Sequence, residues 1–120
     1  MSRVLIIEDD EWLAAQHARS LTREKYDVHV VANALDAVVA VDEFKPDALL
    51  MDVLLPGSTA FALLSELKSY SDTSEIPVVL CTNIAEDVTL ENTKAYGVKR
   101  ILDKATMHPS DVPAAIRSVL

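Results

Sequence analysis

Two glycines, Gly57 and Gly97, are all that this chain carries. A phosphate-cradling loop needs several closely spaced glycines, so a glycine-rich nucleotide site is excluded. One cysteine, Cys81, stands in an apolar stretch. It has no partner for a disulfide within the chain, which favours a reducing compartment, and it reads as a small core residue. No apolar run approaches the ~20 residues of a membrane span, and the opening residues are too short and too acidic for a signal peptide. Basic residues are also few: 11 Lys and Arg stand against 19 Asp and Glu, for a net charge of −8. Direct nucleic-acid binding demands clustered Lys and Arg, whereas this balance suits a cation or a basic partner. The expectation is a cytoplasmic protein that contacts neither nucleic acid nor membrane.

What is present is a core. Half of the 120 residues are hydrophobic, enough to build one domain over residues 1–120. Short β-branched runs at 4–7, 28–31, 48–51, 78–82 and 100–102 predict strands. The first, third and fourth are almost wholly apolar, as in strands buried on both faces, while His29 marks the second as an edge. Helical periodicity fills the intervals at 11–25, 34–44, 61–70, 86–96 and 110–119. Ser110 is the expected N-cap of the last helix, and Pro113 falls in its first turn. Pro46, Pro56, Pro77 and Gly97 punctuate the joins. Strictly alternating strands and helices predict an α/β fold with a parallel sheet covered on both faces and right-handed crossovers.

In such a sheet, ligands sit beyond the carboxyl ends of the strands. Glu8 and Asp9 follow the first strand, Asp52 the third and Lys104 the fifth; Thr82 closes the fourth. Crowded carboxylates repel one another until a proton or a cation neutralises them. An all-oxygen set with room for water suits Mg²⁺. A carboxylate beside such an ion can attack phosphorus, with a lysine and a hydroxyl aimed at the phosphoryl oxygens. Asp10 and Glu11 have a simpler role at the start of the first helix, where negative charge is favoured. His17 reads as structural, His29 and His108 lack metal-ligand neighbours, and Trp12 lies at the rim of the acidic edge.

Four stretches carry a family resemblance: VLIIEDD at 4–10, PDALLMDVLLPG at 46–57, IPVVLCT at 76–82 and GVKRILDK at 97–104. Together, and in this order, they resemble the receiver domain of two-component response regulators, CheY-like in type. The resemblance implies a flavodoxin-like doubly wound sheet of strand order 2-1-3-4-5 with five helices. It implies that Asp52 accepts a phosphoryl group from a sensor histidine kinase or a histidine phosphotransfer protein, and that phosphorylation switches partner binding. Glu8, Asp9, Asp52 and the backbone carbonyl of Leu54 would hold Mg²⁺, and Thr82 and Lys104 would complete the phosphorylation set. Only self-phosphorylation and slow self-dephosphorylation are expected of it as chemistry. A homodimer would use the face of the fourth helix, last strand and last helix.

Four positions depart from the family pattern. Ala60 stands where glycine is usual, and would be strained if φ were positive there, so the loop at 57–60 is expected to take another path. Asn83 replaces a smaller residue after Thr82, and Ile101 replaces the aromatic switch residue. Ala105 replaces a proline, so the Lys104–Ala105 bond is expected to be trans. These departures motivate the alternative of a receiver-like interaction domain acting without phosphorylation. An aspartyl-nucleophile hydrolase is a third class, but Leu54 occupies the place of its second carboxylate. In the family, polar groups two residues after the aspartate and the threonine help position attacking water. Leu54 and Ile84 are aliphatic and should exclude it.

Overall fold

In the structure, a computed structural model, residues 1–55, 58–85 and 88–120 are described; for residues 55, 58 and 59 the description is of the backbone. Five parallel strands form the main sheet: β1 (Arg3–Ile7), β2 (Asp27–Val31), β3 (Ala48–Met51), β6 (Val78–Thr82) and β7 (Val98–Asp103). Their order is β2-β1-β3-β6-β7, which is 2-1-3-4-5 counting main-sheet strands alone. Strands β4 (Leu54–Leu55) and β5 (Ser58–Thr59) make a small antiparallel pair beside it. Five α-helices cover the sheet: α1 (Glu11–Arg23), α2 (Ala34–Phe44), α3 (Ala60–Lys68), α4 (Leu90–Thr93) and α5 (Asp111–Val119). This is the flavodoxin-like, CheY-type fold.

The three central strands are buried almost throughout, which explains their uninterrupted apolar runs. Alternate residues enter two cores. Leu5, Ile7, Leu49, Met51, Val78 and Leu80 face α2 and α3. Val4, Ile6, Ala48, Leu50, Val79 and Cys81 face α1 and α5. His29 lies on the edge strand β2, as its polarity predicts.

Local chemistry sets the helix ends. The Asp10 carboxylate accepts from Leu13 N at 3.1 Å and caps α1; Asn33 accepts from Asp36 N at 2.8 Å and caps α2. The first helix ends at Arg23 rather than residue 25, because Lys25 turns to φ 72°. Ser110 occupies the N-cap position of α5 as expected, but makes no side-chain cap bond: its backbone is helical, and its hydroxyl meets His108 Nδ1 at 2.8 Å. The fourth helix is shorter than its periodicity predicts. It begins at Leu90, capped by Thr89, and passes into a 3₁₀ turn at Lys94–Tyr96. Glu86, where that helix was expected to begin, lies outside the described residues, as do Pro56 and Gly57.

Ala60 needs no positive φ: it opens α3, fully buried, and its N–H donates to Val53 O at 3.1 Å. The Lys104–Ala105 bond is trans, as expected.

Candidate functional site

Four of the five main-sheet strands deliver a polar residue at their carboxyl ends. Glu8 and Asp52 lie one residue past β1 and β3, Thr82 ends β6, and Lys104 lies one residue past β7. A bulge near Val78 and Val79 shifts the β6–β7 register, after which Thr82 pairs with Asp103. Lys104 therefore emerges beside Thr82, and its N–H donates to Thr82 O at 3.0 Å.

The side chains then converge. Lys104 Nζ sits 2.6 Å from Glu8 Oε1 and 2.6 Å from Asp52 Oδ2. One ammonium thus bridges two carboxylates, and all three side chains are nearly buried. Burial opposes the charge on Lys104, but hydrogen bonds and the charges of Asp52 and Glu8 outweigh it, so its pKa is raised. For Glu8 burial dominates in the other direction. It holds the carboxyl above its ordinary value against the pull of Lys104, and the neighbouring Asp9 carboxyl adds to the rise. Asp9 itself is exposed beside this pair.

Backbone donors complete the cradle. Asp10 N donates to Glu8 Oε2 at 3.3 Å, and Leu54 N donates to Asp52 Oδ1 at 3.2 Å. Leu54 therefore meets Asp52 through its N–H, while its side chain is exposed. The Thr82 side chain is fully buried, and its hydroxyl accepts from Ile84 N at 3.3 Å; no hydrogen bond joins it to Asp52. Asn83 is exposed and Ile101 is half-buried against the α2–α3 core. Trp12 is exposed on α1.

Sequence reasoning missed the backbone donors Asp10 N and Leu54 N, and also the part played by Asp103. The Asp103 carboxylate accepts from Ala105 N at 2.9 Å and forms the turn that leads the chain away from Lys104. The short polar run after the last strand carried that signal.

Among the described residues, no three His, Cys, Asp or Glu side chains converge closely enough to enclose a metal ion. Mg²⁺ does not require that: it commonly keeps several waters and takes one or two protein carboxylates. Glu8 and Asp52 share the single Lys104 ammonium and Asp9 stands exposed beside them, so this edge carries three carboxylates against one cation, and added positive charge is favourable there. The hard oxygen donors present fit such an ion.

A model of the response regulator receiver domain matches residues 4–117 of this sequence. The chain belongs to this family. Receiver domains are signalling modules rather than classical enzymes, and response regulators work with histidine kinases. The receiver domain is 29% identical over 104 residues to PilH of Pseudomonas aeruginosa, covering 87% of this chain and 86% of that protein. It spans between 26% and 52% of the length of several transcriptional regulators that it also matches. Among solved structures it superposes on the chemotaxis response regulator CheY4 of Vibrio cholerae with a TM-score of 0.88, at 22% identity, over 100% of this chain and 99% of that one. It superposes on the response regulator TrrA of Thermotoga maritima, solved in complex with Mg²⁺-BeF, with a TM-score of 0.84 at 15% identity, over the whole of both chains. At these identities the likeness is one of fold. No helix among the described residues is long and apolar enough to cross a membrane.

Proposed function

We propose that this receiver domain accepts a phosphoryl group on Asp52 from the phosphohistidine of a sensor histidine kinase or a histidine phosphotransfer protein. The observation that carries this reading is the bridging of Asp52 and Glu8 by Lys104, 2.6 Å from each, at the carboxyl edge of the sheet. An Asp52 carboxylate oxygen attacks phosphorus as the phosphorus–nitrogen bond of the donor breaks, leaving an acyl phosphate on Asp52 and a free imidazole on the donor. The Lys104 ammonium moves with the charge, from the carboxylate to a phosphoryl oxygen. Leu54 N stays within reach of the Asp52 carboxyl and keeps it oriented. The Thr82 hydroxyl, turning from Ile84 N, donates to a second phosphoryl oxygen.

Asp9 and Glu8, with Asp52 and the Leu54 carbonyl, are the groups that would hold Mg²⁺. When bound, the ion supplies charge neutralisation for the transferred phosphoryl group. The phosphorylated form then shifts the balance between two conformations that differ in partner binding.

The test is incubation of wild type and Asp52→Asn in parallel with a small phosphodonor, with and without Mg²⁺. Intact-mass measurement should show one added phosphoryl group on wild type with Mg²⁺ and none on the variant. No Asp52-dependent gain would leave the phosphorylation-independent interaction domain as the better account.

A further inference from the structure

A second cluster, on the opposite side of β6 from α3, has no part in the phosphoryl chemistry. Cys81 of β6 touches both His17 of α1 and Met107, in the turn between β7 and α5, beside the α1–α5 core. Cys81 Sγ lies 3.4 Å from Met107 Sδ and 3.9 Å from His17 Nε2. Cys81 and His17 are 2% and 3% exposed, and Met107 is half-buried. Packing accounts for a thiol and a thioether here. It does not account for an imidazole, a polar ring that is costly to bury away from water. Among the described residues, the one hydrogen-bonding contact of that ring is the Cys81 sulfur.

We propose that Cys81, His17 and Met107 form a three-coordinate site for a thiophilic monovalent cation of the Cu(I) class. Thiolate, thioether and imidazole are the donors such ions select. Bonds of roughly 2.3 Å to sulfur and 2.0 Å to nitrogen, about 120° apart, would place sulfur and nitrogen ~3.7 Å apart and the two sulfurs ~4.0 Å apart. The Cys81–His17 separation already fits. The Cys81–Met107 separation needs Met107 to withdraw by about half an ångström, which its flexible side chain in a half-exposed turn permits.

Charge decides the valence. Cys81 is buried among apolar side chains, so the apo site holds a neutral thiol. Uptake replaces the thiol proton, released to solvent, with a metal ion bonded to the thiolate. A monovalent ion leaves the net charge of this apolar site unchanged, whereas a divalent ion would bury one uncompensated positive charge. Cys81 precedes Thr82, and Met107 follows Lys104 by three residues. A bound ion would tie the turn after Lys104 to β6 directly behind the carboxylate edge.

Silver(I), a redox-inert probe of the same class, tests this on the wild-type protein in chloride-free buffer. One ion per chain by native mass spectrometry and a raised thermal midpoint are expected. Cys81→Ser should abolish binding. Met107→Leu, a volume-conserving exchange, and His17→Gln should each weaken it about tenfold or more. A midpoint that stays constant or falls would mean the metal ignores or opens the fold, and would overturn the site. Binding that survives Cys81→Ser, or is equally tight in Met107→Leu and His17→Gln, would show adventitious metallation only and would overturn it as well.

Discussion

At the scale of single residues, two aliphatic side chains and one imidazole carry sharp consequences. Leu54 is exposed, and Ile84 is half-buried with its N–H on the Thr82 hydroxyl. Neither side chain can orient a water for attack on an Asp52 acyl phosphate. Replacing both with polar residues should shorten the acyl-phosphate lifetime, measured as the decay of phosphorylated protein after donor removal; an unchanged decay rate would contradict this role. His17 is held neutral in the fold down to about pH 4, while an unfolded chain protonates it near 6.5. As pH falls through that window the unfolded state binds the proton first, so stability drops. The loss is at most about 3 kcal/mol and is complete below pH 4. Urea unfolding of wild type and His17→Gln at several pH values should show a steeper acid loss for wild type.

At the scale of elements, the local rules operate where backbone groups must be satisfied. Asn33 caps α2 through Asp36 N, so Asn33→Ala should cost about 1 kcal/mol in denaturant unfolding. The same helix ends on Lys45 at φ 52°, a left-handed conformation that favours glycine. Lys45→Gly should therefore raise stability, by roughly 1 kcal/mol or less. Strand positions were legible because β1, β3 and β6 are buried on both faces and leave unbroken apolar runs. Helix α2 matched its periodicity from end to end. Two signals held only in part. Ser110 stands at the N-cap position of α5, but His108 engages its hydroxyl and no side-chain cap bond forms. The polar pattern at 86–96 gave little to pack, and α4 is accordingly only four residues long.

At the scale of the whole molecule, Lys104 joins the carboxyl ends of β1 and β3 to that of β7. Lys104→Met would leave Glu8 and Asp52 buried beside each other without a counter-charge. That should lower stability by about 3 kcal/mol or more. Adding Asp52→Asn to Lys104→Met should recover part of the loss, and a double-mutant cycle on thermal unfolding measures the coupling. The sequence by itself determined the order of strands and helices, the two-sided burial of the central strands and the placement of Glu8, Asp9, Asp52, Thr82 and Lys104 at strand ends. Periodicity is a local property, and a residue that follows a strand must lie at the sheet's carboxyl edge. Only the tertiary structure decided which groups touch. The β6–β7 bulge sets the height of Lys104, Leu54 meets Asp52 through its N–H, Thr82 turns to Ile84, and His17 reaches Cys81 across the α1–α5 core. Those outcomes depend on register and on packing between segments far apart in the chain, and no local pattern encodes them.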